Sequence, residues 1–274
     1  GYLGGGLLFA LDVAMVLRPQ AFGLPDRVAA TRVAFLSVAL WWAGFTLPLL
    51  GWVPEPASGG ALRGAVGRAL RELGGAVRAL RALPTAARFL LAYWLYIDAV
   101  QTIIVMATSF GSELGLPDSA LIVALLVTQF VGFPAAILFG RLGERLGTRT
   151  SILIAIGVYL GVVGMSAAMT ATLFYLLAVV VGLVQGAAQA LSRSLYSRLI
   201  PARMAGEMFG FYNMLGKFAA VVGPLLVGLT SASVGPRWSV LSLALLLLAG
   251  GALLWRVDEA QGRAEAARLA GAGA

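Results

Sequence analysis

The chain of 274 residues contains no cysteine and no histidine. Disulfide and thiolate chemistry are therefore closed to it, and so are the commonest proton shuttle and the commonest metal ligand. No other grouping of side chains has metal-ligand spacing, and no nucleophile–base pair is visible. No G-x-x-x-x-G-K-(S/T) loop is present to hold a nucleotide, which argues against ATP-driven work. No cofactor, no metal and no enzymatic reaction are expected. Charge is scarce as well: 12% of the residues are Asp, Glu, Lys or Arg, about half the share of a soluble domain.

Apolar residues take the place of what is missing. Hydrophobic side chains make up 60% of the chain, and the mean hydropathy is +0.91. A soluble core of this size cannot hide that much apolar surface, so the excess must face lipid. Eight segments have membrane length or close to it: 1–17, 33–53, 88–109, 119–139, 150–169, 172–198, 207–230 and 238–256. The first opens at Gly1 with no methionine, as if cut within a helix, so the chain is expected to lack an N-terminal part.

Arginine sets the orientation. Fifteen arginines, from Arg63 to Arg268, fall in one set of loops, and Arg18, Arg27, Arg32 and Arg237 fall in the other. The positive-inside rule places the fifteen in the cytoplasm. The net charge of +8 is then a topology signal; no basic surface interleaved with stacking aromatics suggests nucleic acid. Residues 54–87 are expected to be a basic cytoplasmic linker, either solvated or lying as an amphipathic helix on the membrane surface. The small, polar tail 258–274 is expected to fray. Gly157-x-x-x-Gly161 and Gly182-x-x-x-Gly186 have the spacing of close helix–helix contacts.

The loop "GRLGERLGTRT" between two apolar segments carries Gly140, Glu144, Arg145, Gly147 and Arg149. This pattern, G-x-x-x-(D/E)-(R/K)-x-G-x-(R/K), resembles the loop signature of the major facilitator superfamily. Its glycines permit close approach or a left-handed turn, and Glu144 can pair with Arg145 or Arg149. A conformational hinge is the role expected of it. Longer stretches resemble the autophagy-related vacuolar effluxer family and its bacterial relatives: "GYLGGG", "WWAGFTLP", "YWLYIDAVQTI", "TQFVGFPAA", "GLVQGAAQALSRSLYSRLIP" and "FGFYNMLGKFAAVVGPLL". Ala99 departs from the glycine expected after the aspartate. The resemblance implies an all-α integral membrane protein with a major-facilitator-type helical bundle, here eight transmembrane helices of an expected twelve. Residues 1–53 would be the last two helices of a truncated N-terminal bundle, and 88–257 a C-terminal six-helix bundle flanked by the linker 54–87 and the cytoplasmic tail 258–274. It also implies amino-acid-like efflux or uptake, in a multi-pass protein of the bacterial inner membrane.

Three ionisable residues fall inside apolar segments: Asp12, Asp98 and Lys217. A charge at the bilayer centre costs at least about 2.5–3.5 kcal/mol, so none should face lipid. Asp12 lies near a boundary, and helix packing or solvation suits it. Asp98 and Lys217 lie near mid-segment and are expected to face protein or a water-filled cavity. Asp98 shares a helix face with Trp94, Gln101 and Thr102. Gln185 and Gln189, with Ser192, Arg193 and Tyr196, form a stripe on another helix, and Asn213 stands four residues before Lys217. For Gln129, Gln185 and Gln189 ordinary interhelical hydrogen bonding, worth about 0.6 kcal/mol each, is the competing explanation. Asp98, Gln101, Gln185, Gln189, Asn213 and Lys217 are the candidates for substrate or coupling contacts. The expected function is secondary transport of a small solute by alternating access, with the bilayer, the missing bundle and possible proton coupling as partners. The alternative is a membrane-embedded lipid-acting enzyme or structural protein.

Overall fold

The computed structural model describes residues 2–53, 65–113, 115–166 and 168–271, all helical or in short connections. Over the described residues all eight apolar segments are helical, the seventh with a break. Six spans are long and apolar enough by themselves to cross a bilayer: Arg27–Trp52, Pro84–Glu113, Asp118–Leu146, Thr148–Ser166, Ala171–Arg198 and the broken Ala202–Val234. Leu3–Leu17 is apolar but shorter, and Val240–Trp255 reaches that length only with the helix after it, from which it bends by 67°. The architecture is that of an all-α integral membrane protein.

The chain divides into two compact units, Gly1–Val66 and Gly67–Ala274. In the first, α1 (Tyr2–Leu17) lies along α2 (Arg27–Trp52). Asp26 caps α2, its carboxylate accepting the Ala29 N–H at 2.7 Å. Asp12 on α1 is buried and accepts the Ser37 hydroxyl of α2 at 2.7 Å. A short polar partner thus satisfies the carboxylate within the helix pair, which is the packing role expected of it.

The second unit holds all but the first two residues of α3 (Ala65–Ala82), then α4 (Pro84–Glu113), α5 (Asp118–Leu146), α6 (Thr148–Ser166) and α7 (Ala171–Arg198). It continues with α8 (Ala205–Phe218), α9 (Val222–Val234), the one-turn α10 (Pro236–Ser239), α11 (Leu243–Trp255) and α12 (Glu259–Gly271). α5 packs along α7, α4 along α11, and α6 against both α7 and α11. Glycine sets two of these approaches. A Cβ on Gly182 would stand 2.9 Å from the Thr128 carbonyl oxygen, and one on Gly250 2.9 Å from the Tyr96 nitrogen. Gly157 and Gly161, by contrast, face open space, so that spacing marks no close contact.

The seventh apolar segment breaks at Ala219–Val221. Pro224 explains the position: it has no N–H to give, and its ring would clash with the carbonyl of residue 220 in a continuous helix. In the first turn of α9 neither property costs anything.

At the arginine-rich end the linker takes the helical one of its two expected forms, packed on the core, and the expectation for the tail is corrected. Residues 54–64 lie outside the described residues, but the remainder of the expected linker is structured: α3 buries Ala76, Ala79 and the following Leu83 in the main core, while Arg71, Arg78 and Arg81 stay exposed. The tail does not fray over 259–271. Glu265 of α12 accepts the Thr85 N–H at 3.0 Å and the Thr85 hydroxyl at 2.9 Å. Glu259 pairs with Arg198 at 3.0 Å and with Arg263, and Gly262 lets α12 approach Leu199 and Thr85 closely. These long-range partners supply what a small, polar segment lacks by itself.

Candidate functional site

Asp98 lies midway along α4 and is 1% exposed. Its carboxylate meets no lysine or arginine among the described residues. Both oxygens accept the backbone N–H of Gly223, at 3.1 and 3.0 Å. Gly223 is the second residue of α9, where N–H groups have no partner within the helix and the backbone dipole favours negative charge. The break at Pro224 therefore creates a helix start inside an apolar segment, and Asp98 satisfies it from a neighbouring helix. Thr102, one turn on, donates its hydroxyl to the Asp98 carbonyl oxygen at 2.8 Å. Only glycine fits at 223: a Cβ there would stand 2.0 Å from Thr102 Oγ1 and 3.0 Å from Asp98 Oδ1.

Lys217 is not the counter-charge of Asp98. It sits in the last turn of α8 and is exposed. A cation there complements the dipole at that helix end. Asn213, one turn earlier, accepts from Arg193 of α7 at 3.3 Å. Gln189 precedes Arg193 by four residues and is half-buried. Gln189, Arg193, Asn213 and Lys217 thus form one polar stripe across α7 and α8, in which neither cation has a carboxylate partner among the described residues. Gln101 is half-buried on α4, with no hydrogen bond from its side chain among the described residues. Gln185 belongs elsewhere: it lines a cavity to which Asp98, Gln101, Gln189, Asn213 and Lys217 do not contribute.

An aromatic cluster was not foreseen. Tyr93 stacks on Tyr212 with ring centres 4.2 Å apart, and Tyr196 stacks on Tyr212 at 5.2 Å and on Phe89 at 5.9 Å. Tyr96 and Ser192 share a buried hydrogen bond of 2.6 Å, and Ser192 donates to the Ala188 carbonyl. The cluster ties α4, α7 and α8 together between the Asp98 junction and the arginine-rich ends. Phe89, Tyr93 and Tyr96 recur at offsets of four and three, a helical stripe that the sequence displays.

In the loop between α5 and α6, Gly147 alone takes a left-handed-side conformation, with φ 86°. Gly140 lies within α5 facing open space, whereas Gly143 approaches Leu191 so closely that a Cβ would stand 2.8 Å from it. Glu144 forms no ion pair among the described residues. Arg149 instead donates to the Val257 carbonyl at 2.8 Å and the Trp255 carbonyl at 3.4 Å. Orphan carbonyls at the end of α11 attract the guanidinium, which leaves Glu144 and Arg145 exposed. Arg88 donates to the Arg256 carbonyl at the same helix end. Glu259 joins this arginine-rich end: burial pushes its carboxyl up, but hydrogen bonds from Arg263 and Arg198 outweigh that and hold it below the usual carboxylate range.

Comparison with known proteins gives the family. The model of the family described as "Vacuole effluxer Atg22 like" matches residues 1–267. The chain is 39% identical over 262 residues to a protein of Bacillus subtilis (strain 168) named "Uncharacterized MFS-type transporter YxiO". That alignment covers 94% of this chain and 61% of the relative, so the chain spans less than two thirds of the relative's length.

Proposed function

This chain belongs to the Vacuole effluxer Atg22 like family, and from that membership we propose that it works as part of a secondary transporter of a small solute. In this reading residues 1–53 are the last two helices of a first bundle, 88–257 form the second bundle, and the site operates by alternating access in a bacterial inner membrane. The loop from Gly140 to Arg149 hinges α5 against α6, and Arg149 ties it to the end of α11.

The observation that carries the proposal is the Asp98 carboxylate on the Gly223 N–H at a broken helix. The carboxylate is held by the backbone at the start of α9, Val222 and Gly223, with the Thr102 hydroxyl beside it, so this arrangement is stable only while α9 starts where it does. Protonation of Asp98, or a shift of α9, releases the other, so a proton and a helix movement are coupled at one contact. The stripe Gln189–Arg193–Asn213–Lys217 is the place for the solute: two cations without carboxylate partners suit an anionic group, such as the carboxylate of an amino-acid-like solute.

Full-length protein in proteoliposomes tests this with a mixture of radiolabelled L-amino acids and an imposed pH gradient. Asp98→Asn keeps the shape and removes the charge. Uphill accumulation should fall at least tenfold at equal protein abundance, while downhill exchange persists. Wild-type accumulation by Asp98→Asn would end the coupling role; chemical conversion of a lipid without solute flux in the wild type would favour the enzymatic alternative.

A further inference from the structure

A partly open cavity of about 110 Å³ lies in the second unit between the ends of α4 and α6, the first halves of α5 and α7, and the turn before α11. Its walls are apolar, Met106, Phe110, Leu121 and Phe174 among them. No charged residue lines it. Four polar side chains reach it: Thr108, Thr128, Ser166 and Gln185. Three of them spend their only proton on backbone carbonyls. Thr108 donates to Val105 at 3.4 Å, Thr128 to Ala124 at 2.9 Å, and Ser166 to Val163 at 2.6 Å. Gln185 differs, because its Oε1 is buried with no hydrogen-bond partner.

An unpaired buried acceptor is costly, and its cost is removed when a donor arrives. Water is a poor answer, since an ordered water needs two to four polar partners and apolar cavities of about this size stay dry and take apolar guests. We propose that this cavity is a binding site for a small neutral amphiphile: an apolar body of about six to eight heavy atoms bearing one hydroxyl or N–H, whose proton serves Gln185 Oε1. A zwitterion is disfavoured, because the lining offers its carboxylate and ammonium no counter-charge among the described residues. The occupant is therefore chemically distinct from the amino-acid-like solute above, and the site stands whether or not that reading does.

The experiment uses the purified full-length protein in detergent micelles with two probes of equal shape, 4-fluorophenol and 4-fluorotoluene. Fluorine line broadening is followed with and without excess unlabelled phenol or toluene, so that only the displaceable fraction counts. Both probes should show a saturable fraction, with the phenol about tenfold tighter for its one added hydrogen bond. Gln185→Leu should abolish that preference and retain saturable fluorotoluene. Ala178→Phe, which fills the cavity, should remove both signals. No saturable binding to the wild type overturns the site, and a phenol preference that survives in Gln185→Leu overturns the role of the amide. Should Ala178→Phe lose its helical circular dichroism, Gln185→Leu decides alone.

Discussion

One device occurs twice in the second unit, in opposite surroundings. At the arginine-rich end, Glu265 of α12 accepts the N–H of Thr85, the second residue of α4. Halfway along α4, Asp98 accepts the N–H of Gly223, the second residue of α9. In both cases a carboxylate on one helix caps another, a threonine stands beside it, and a glycine permits the approach. The difference is the company. Glu265 also takes the Thr85 hydroxyl and the Gln261 side chain, at 2.9 and 3.0 Å. Glu265 is half-buried, whereas Asp98 is 1% exposed and is held by the backbone at the start of α9. The same chemistry should be more sensitive at Asp98 than at Glu265, because the cost of losing a hydrogen bond rises as water is excluded.

The glycines should break this comparison most sharply. Gly223→Ala drives a Cβ to within 2.0 Å of Thr102 Oγ1, a stiff β-branched side chain already bonded to its own helix. It should cost about 1–3 kcal/mol, read as a lower melting temperature in detergent, and should abolish transport. Gly262→Ala meets Leu199 Cδ2 at 2.3 Å and Thr85 Cγ2 at 3.0 Å. The leucine tip can turn away, so the loss should stay near or below about 1 kcal/mol and transport should survive. Equal losses at the two positions would show that the surroundings do not matter.

A smaller effect is expected from Glu265→Ala. Loss of the cap on α4 should cost about 0.5–2 kcal/mol and should show first as faster amide exchange in residues 259–271, with no change in solute accumulation. Loss of accumulation would make the tail part of the transport cycle.

The smallest effect is one of pH. Glu259 is held below its ordinary value by Arg263 and Arg198, so its folded state binds a proton less readily than its unfolded state. Its contribution is present above the ordinary glutamate range and fades as pH falls through the depressed value. Proteolysis at the tail should accelerate on acidification, and Glu259→Gln should remove that dependence while leaving tail release constant with pH.

Much of the fold is legible in the residues because hydropathy is a local quantity. The apolar runs that became α4 to α7, the absence of His, Cys and nucleotide loops, and the anomaly of a carboxylate in "LAYWLYIDAVQTIIV" require no knowledge of neighbours. Pro224 marks a place where the helix can kink or break, but Pro48 and Pro134 lie inside the continuous α2 and α5, so packing decides which proline ends a helix. Periodicity also groups Gln189 with Arg193, and Asn213 with Lys217, each pair on one face.

Which faces meet is a different kind of question. Asp98 and Gly223 are 125 residues apart, and whether the carboxylate finds a backbone N–H or Lys217 depends on the rotation and register of α4 against α8 and α9. No local pattern carries that information. The same holds for Gln185, which its spacing joins to Gln189 and which the packing of α5, α6 and α7 turns into a separate apolar cavity. It holds for Gly250, whose contact with Tyr96 is invisible without α4 beside it, and for the tail, whose helix exists because Thr85 and Arg198 wait at the ends of other helices. Sequence alone determined the membrane-spanning helical class and the charge that needs a partner; tertiary structure chose the partner, because only helix packing brings distant backbone and side-chain groups within hydrogen-bonding reach.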